Sequence, residues 1–409
     1  MAEPESTPFQ IRSLAVTVYA PTVLMGIGQS AVLAFVVLLA GDLGASVGIA
    51  SLIFAMRGLG VMAFDVPAGL LLSRIGPRRS MLLSIALIGV FASLAAMSQN
   101  TLQLGLAVFA LGAATALWML TRMAFVADAA PVEQRGRALS LVGGSQRMGN
   151  FIGPVMGGFI AEFSDFSGAL WLQSIGAAVA LVIVYLFVRD RDRMTVATAH
   201  VPTGLGQMLN EHRRVFLTAG LAMVALQVLR QGRQVLLPLW SDQLGLEPAQ
   251  IGLVIGLASA IDMSLFYPVG IVMDRFGRKW SAVPSMVLLG ASIALIPLTD
   301  SFQTLMVVGL FSGLANGLGA GIGMTLGADF APPGNQGEFI GVWRFISDIG
   351  TSAGPFMVAG VAGVATLGVA CVATGGVGLA GAAVMAFLAP ETLRRGRNAL
   401  AKPSEAGGG

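Results

Sequence analysis

Two arginines, Arg230 and Arg233, stand three residues apart within an apolar stretch, and Gln227 and Gln234 share their helical face. A guanidinium is a planar fork of N–H donors that suits a carboxylate or phosphate. Arg57, Arg147 and Arg344 lie inside other apolar runs, and Asp262 and Asp348 are the acids at comparable depth. Five cations against two acids leave three arginines over even when both acids are paired. The surplus points to an anionic or zwitterionic organic substrate; arginines satisfied by helix carbonyls or lipid are the alternative. Gln29, Trp118, Asn150 and Asn316 fall at similar depth and complete a candidate cavity. Enzyme chemistry has little to work with. His200 and His212 both sit in a polar mid-chain stretch, and the one cysteine, Cys371, sits alone in an apolar one. These residues assemble no metal site, no disulfide framework, no Ser-His-Asp set and no cofactor motif.

The elements that must hold these residues follow from composition. Hydrophobic residues make up 55% of the 409 and charged residues 11%, where a soluble domain carries about 25% charged. Mean hydropathy is +0.80. A water-facing surface cannot be covered with this composition, which excludes a cytosolic enzyme, a coiled coil and a disordered chain. A net charge of +3, its arginines in loops, argues against a nucleic-acid partner. A bilayer span needs about 20 apolar residues. The apolar runs predict twelve, at residues 13–40, 47–73, 80–97, 102–127, 138–161, 167–188, 215–240, 250–273, 281–298, 302–330, 340–361 and 364–388. The chain is therefore read as an all-α integral membrane protein. Residues 1–12 form a polar tail with no basic lead into an apolar core, so no cleavable signal peptide is expected. Residues 13–188 and 215–388 are two six-span bundles, 189–214 a polar linker and 389–409 a second tail.

Charge placement orients this map. With the N-terminus inside, 18 of the 24 lysines and arginines fall in cytoplasmic segments, and the other six lie within spans. The outer loops carry Asp42, Glu162, Asp165, Asp242, Glu247 and Asp300 instead. This is the positive-inside pattern, with both termini cytoplasmic in a cell membrane. An internal repeat runs through it. Adding 201 to a residue number carries Pro67 and Gly69 onto Pro268 and Gly270, and Ala127-Asp128 onto Ala328-Asp329. It also carries Gly149, Gly153 and Pro154 onto Gly350, Gly354 and Pro355. Six spans per half is an even number, so the halves insert with the same orientation and form parallel repeats.

The loop after the second span holds Gly69, Ser73, Arg74, Gly76, Arg78 and Arg79, and the loop after the eighth holds Gly270, Asp274, Arg275, Gly277, Arg278 and Lys279. Both resemble the G-x-x-x-D-R-x-G-R-R/K signature of the major facilitator superfamily. Glycine permits a tight reversal, and the basic residues anchor it on the cytoplasmic side. The resemblance implies the major facilitator fold of two parallel six-helix repeats, a monomer, and alternating access. It implies too that these loops clamp the cytoplasmic face, with Asp128 and Asp329 as partner acids; a topology anchor alone is the simpler reading. Ser73 stands where the family has Asp, so the first clamp is expected to be weaker, or completed by Asp65.

The fifth span holds Gly149, Gly153, Pro154, Gly157 and Gly158 in the spacing G-x-x-x-G-P-x-x-G-G. This resembles the antiporter motif of the proton-coupled drug and metabolite exporters in that superfamily, although Ser140 replaces the glycine usual nine residues upstream. Glycine-rich helix packing is the bland alternative. The arginine that exporters often carry in the outer half of span four is absent, as Arg122 lies nearer the cytoplasm. In the family the second span faces the eleventh and the fifth faces the eighth, which pairs Arg57 with Asp348 and Arg147 with Asp262. Arg147 and Asp348 are equivalent under the 201-residue offset, and Arg57 maps to Ala258, one turn from Asp262. Protonating an aspartate would release its arginine, a plausible proton switch. Locally, Asp348 could instead pair with Arg344, and Asp262 with Arg230 or Arg233. The function expected is proton-coupled export of a small organic compound across the bilayer. Import of an organic anion and export of lipophilic cations are the alternatives.

Overall fold

The computed structural model describes residues 14–188, 205–332 and 336–392, which are helical almost throughout. They form two compact units, Met1–His200 with Gly245–Gly256, and Val201–Leu244 with Leu257–Gly409. The tail 1–12, most of the linker including His200, and the end of the second tail lie outside the described residues.

In the first unit, α1 (Ala20–Asp42), α2 (Val47–Ile75), α3 (Pro77–Ala96), α4 (Thr101–Ala129), α5 (Val132–Phe163) and α6 (Gly168–Phe187) follow one another. Their starts are chemically marked. The Ser46 hydroxyl accepts from the Ile49 N–H, Asn100 Oδ1 accepts from the Gln103 N–H at 2.9 Å, and Pro77 opens α3. Helix α1 is apolar on all sides and is buried against α5 and α6; α2 packs on α4, and α3 on α4 and α6.

The second unit contains α7 (Leu205–Glu211), α8 (Arg213–Val215), α9 (Leu221–Gln243), α10 (Pro248–Phe276), α11 (Lys279–Leu295), α12 (Phe302–Leu318), α13 (Ile322–Phe330), α14 (Gln336–Val364) and α15 (Leu367–Ala383); the start of α10 groups with the first unit. Helix α9 packs on α14 and α15, and α11 on α12 and α15.

The repeat is carried into three dimensions. A Cβ on Gly112 would collide with the Arg57 carbonyl oxygen, and a Cβ on its equivalent Gly313 would collide with that of Ala258. Gly153 meets Ile27 in the same way, and Gly354 meets the equivalent Val228. Both members of the two contacts are related by the 201-residue offset, so each half closes on itself with the same backbone approaches. Two π-helical turns, Ala15–Tyr19 before α1 and Phe216–Gly220 before α9, are equivalent as well.

Three features depart from the sequence map. Eleven helices among the described residues are long and apolar enough to cross a membrane. The fifth expected span is not one of them. Helix α5 is 32 residues long, but Ser145, Gln146, Arg147 and Asn150 make its middle polar. The tenth expected span is broken into α12 and α13, with Gly321 at φ +78° between them. Part of the expected linker is helical, as α7.

Replacing Gly112 by alanine is expected to cost about 1–3 kcal/mol, because backbone stands where the methyl would go. Gly136 has open space around its Cβ position, so Gly136→Ala should leave thermal unfolding in detergent unchanged or slightly raised. Equal shifts for the two variants would contradict the close approach of α2 and α4.

Candidate functional site

In the first unit, Met25, Gln29 and Val32 of α1, Arg57 of α2, Ile88 of α3, Leu111, Thr115 and Trp118 of α4 and Gln173 of α6 line a cavity. The space is about 10 Å³, room for one water-sized group. Each helix brings its residue by helical spacing: Leu111, Thr115 and Trp118 follow one face of α4, as Met25, Gln29 and Val32 follow one face of α1. Thr115 is satisfied, its hydroxyl donating to the Leu111 carbonyl at 2.7 Å. Trp118 is 1% exposed, and its indole N–H is buried with no hydrogen-bond partner among the described residues. Gln173 Nε2 makes only a long contact, 3.9 Å, to Met25 Sδ. Arg57 makes no hydrogen bond or ion pair within its unit, and no carboxylate lines the space.

A polar strip runs on from this cavity along α4 and α5. Arg122, buried at 4% exposure, stacks its guanidinium 5.8 Å from the Trp118 ring centre and donates from Nη1 to Gln146 Oε1 at 2.9 Å. Gln146 Nε2 in turn donates to Asn150 Oδ1 at 3.4 Å. The glycine motif lies beside this strip. Ser30 Oγ donates to the carbonyls of Gly26 and Gly149, both at 2.7 Å, and Gly157 fits against Ala31 and Phe35. Gly158 faces Pro248 and Gly252, in the segment that groups with this unit.

The second unit handles its arginines differently. Arg230 Nε donates to Asn316 Oδ1 at 2.9 Å, Nη2 to the Gly319 carbonyl at 2.9 Å and Nη1 to Gln227 Oε1 at 3.3 Å. Gln227 Nε2 donates on to Thr351 Oγ1 at 3.2 Å. Gly319 sits at the break between α12 and α13, where its carbonyl accepts a 3.3 Å bond from the Ile322 N–H and Arg230 adds a shorter one. The hydroxyls of Ser285 and Ser281 do the same for the carbonyls of Ala315 and Leu318. Arg233 Nη1 donates to Ser312 Oγ at 3.2 Å and lies within reach of the Asp262 charge. Gln234 Oε1 is buried without a partner among the described residues. Arg230 was expected to meet substrate; in the structure three of its N–H groups are engaged by Asn316, Gly319 and Gln227. Arg344 is exposed. Arg147, Asp262 and Asp348 are each partnered. The expected pairs Arg57–Asp348 and Arg147–Asp262 would join one unit to the other and stay expectations of the sequence.

The two signature loops also diverge. Gly76 and Gly277 take the expected positive φ, +80° and +113°. After α10, Arg278 Nε donates to Asp329 Oδ2 at 2.8 Å, and Nη1 donates to the Met273 carbonyl at 2.7 Å and to Asp274 Oδ1 at 3.3 Å. The Glu391 carboxylate accepts from the backbone N–H groups of Arg278 and Lys279, at 3.0 and 3.1 Å, capping the start of α11. Thr392 Oγ1 donates to Asp329 Oδ2 at 2.6 Å. Partial burial works against the Arg278 charge. The hydrogen bond and charge of Asp329, with Asp274 and Glu391 adding, outweigh it and hold the guanidinium above its ordinary pKa. In the first loop, Ser73 turns back to the Leu70 carbonyl, and Arg78 lies against Tyr185, donating to its carbonyl at 3.2 Å. Asp65 is partnered, whereas Asp128 is exposed and accepts no hydrogen bond among the described residues. Asp329 thus accepts from the Arg278 guanidinium, and Asp128 makes no such bond among the described residues. Arg74, Arg79 and Arg275 are exposed.

Sequence reasoning missed Gln173, Gln146, Glu391 and Thr392, and left Arg122 out of the cavity. Glutamine and threonine in apolar or terminal stretches carry no motif, and only packing identifies them. The depth of Arg122 was legible, and its contact with Trp118 was available from their i,i+4 spacing.

A chain of two six-helix repeats with polar residues buried in each is the architecture of a membrane carrier. The model of the Major Facilitator Superfamily matches residues 20–233 and again residues 215–406, and the chain belongs to this family. It is a multi-pass membrane transporter and not an enzyme. A multidrug resistance protein MdtH of Aeromonas hydrophila is 24% identical over 354 residues, covering 80% of this chain and 86% of the relative. Its counterpart from Yersinia pestis is 23% identical, covering 76% and 77%. The fold matches a crystal structure of a POT family transporter bound to 5-aminolevulinic acid, with TM-score 0.75, 13% identity and coverage of 93% and 96%. It also matches a bacterial homologue of the human lysosomal transporter Spinster in an inward-facing form, with TM-score 0.71, 13% identity and coverage of 97% and 98%.

Arg230→Gln is expected to lower stability by about 1–3 kcal/mol, because the Gly319 carbonyl and Asn316 lose buried donors. Arg233→Gln, which gives up one bond to Ser312, should cost less. Thermal unfolding of the purified variants checks the order, and a reversed order would contradict a splinting role for Arg230.

Proposed function

We propose that this transporter exports small organic compounds in exchange for protons, and that its substrates carry a negative charge or are zwitterions. The observation that carries the charge preference is the cavity of the first unit. Its polar lining offers a guanidinium, an indole N–H and two amides, and no carboxylate. A cation placed there would meet like charge and no counter-ion. Export is supported by the names of the relatives and by the G-x-x-x-G-P-x-x-G-G spacing of α5, whose Gly149, Gly153 and Gly157 pack tightly on α1. Asp262 and Asp348 are the acids we assign to proton uptake, since an ionisable group at their depth in a span is costly and kept for use. Arg147 occupies the position equivalent to Asp348 and supplies the counter-charge for the coupling step. We place both termini on the cytoplasmic side and take the monomer as the working unit. The relatives' names speak of multidrug resistance and not of charge, and a second reading is export of lipophilic cationic drugs.

Vesicles containing the reconstituted protein and an internal pH dye test this, with pools of organic anions and of lipophilic cations. Organic anions are expected to drive proton movement in the wild type, and Asp262→Asn and Asp348→Asn to reduce it at least tenfold. Unchanged pH-dependent transport in both variants would remove the proton role. A response confined to lipophilic cations would overturn the anion preference.

A further inference from the structure

The 201-residue offset places the first unit's cavity over a definite locus in the second unit. Gln29, Val32, Leu111, Thr115 and Trp118 correspond to Arg230, Arg233, Ser312, Asn316 and Gly319. In the second unit this locus is closed by its own hydrogen bonds. Arg230 bonds Asn316 and Gly319, and Arg233 bonds Ser312. In the first unit the same locus holds donors that the fold does not use. Trp118, 1% exposed, keeps an indole N–H without a partner. Gln29 makes no hydrogen bond among the described residues, and Gln173 makes only the long contact to Met25. Arg57 enters from α2, and the equivalent position of the other repeat, on α10, is Ala258. The Trp118 ring is held in place by the Arg122 guanidinium stacked on it, and Arg122 is fixed by Gln146.

A buried donor left unsatisfied in a low-dielectric site costs free energy, and a group of them around one small space is a demand for an acceptor. We propose that this cavity is an anion subsite of the transporter, in which Arg57 and the Trp118 N–H bind the carboxylate head of the substrate, with Gln29 and Gln173 as flanking donors. The guanidinium fork matches two carboxylate oxygens. As it stands the space holds one water-sized group, and a planar carboxylate needs less opening of the wall than sulfate or phosphate. Met25, Gln29 and Gln173 are long, rotatable side chains, so the wall can yield to a head group larger than a single water. The repeat thus divides its labour: Arg230 splints the broken tenth span, and Arg57 meets the substrate. This inference rests on the proposed preference for anions but not on export or on proton coupling.

Binding of benzoate to the purified protein in detergent, measured by isothermal titration calorimetry with benzamide as the neutral control, tests the subsite without any flux assay. Wild type is expected to bind benzoate and to bind benzamide at least tenfold more weakly. Arg57→Gln should weaken benzoate binding at least tenfold. Trp118→Phe keeps the ring and removes the N–H; it should weaken binding severalfold while the unfolding temperature without ligand stays close to wild type. Arg57→Lys should recover part of the loss, and Arg233→Gln should bind within about twofold of wild type. Equal binding of benzoate and benzamide would overturn the subsite. So would wild-type affinity in both Arg57→Gln and Trp118→Phe, or no benzoate binding at all. If benzoate binds as expected and proton-coupled flux is absent, the subsite stands and the export reading fails.

Discussion

A helix broken inside a bilayer leaves backbone carbonyls with no water to turn to, and at Gly319, whose carbonyl takes a 3.3 Å bond from the Ile322 N–H, Arg230 adds a donor at 2.9 Å. Much of the rest of the second unit's polar interior follows from this one bond. Asn316 holds the same guanidinium, Gln227 holds its other edge, and Thr351 holds Gln227. Ser281 and Ser285 serve the neighbouring carbonyls of Leu318 and Ala315. A chain of buried donors and acceptors of this kind stiffens α9 against α12 and α14. It also consumes the residues that look most like a binding site in the sequence.

The first unit meets the same physics without a broken helix. Helix α4 runs on unbroken through the position equivalent to the α12–α13 break. No carbonyl is released there, and the donors around Trp118 have no structural claimant. Two copies of one backbone plan therefore end with opposite polar accounts. One is saturated and rigid, and the other carries unsatisfied donors beside a small space. The signature loops show the same divergence. Asp274, Asp329 and Glu391 gather around Arg278 in the second unit, while Arg78 of the first rests on the carbonyl and ring of Tyr185.

Close helix packing is what keeps both plans in register. Glycines at 112 and 313, and at 153 and 354, let backbone meet backbone at equivalent places in the two halves. Helix α5 can carry a polar middle because its glycines bring α1 near enough for Ser30 to bond across to Gly149. The residues that make it a poor membrane span by hydropathy, Gln146 and Asn150 among them, are the ones that continue the strip from Arg122.

The amino-acid sequence by itself determined the all-α membrane class, most of the span map, the repeat and the family. These rest on apolar run length, charge asymmetry and residue spacing, which are properties of the chain written in one dimension. It also located the turn glycines Gly76 and Gly277, whose positive φ is a local requirement. Only the tertiary structure decided which buried cations are occupied. Depth in a span gives an arginine its cost, but not the group that satisfies it. Arg230 and Arg57 read alike in sequence; the break at Gly319, the amide of Asn316 and the donors around Trp118 are what separate them. Those neighbours come from helices tens of residues away, and hydrogen-bond saturation is settled only when they are packed together.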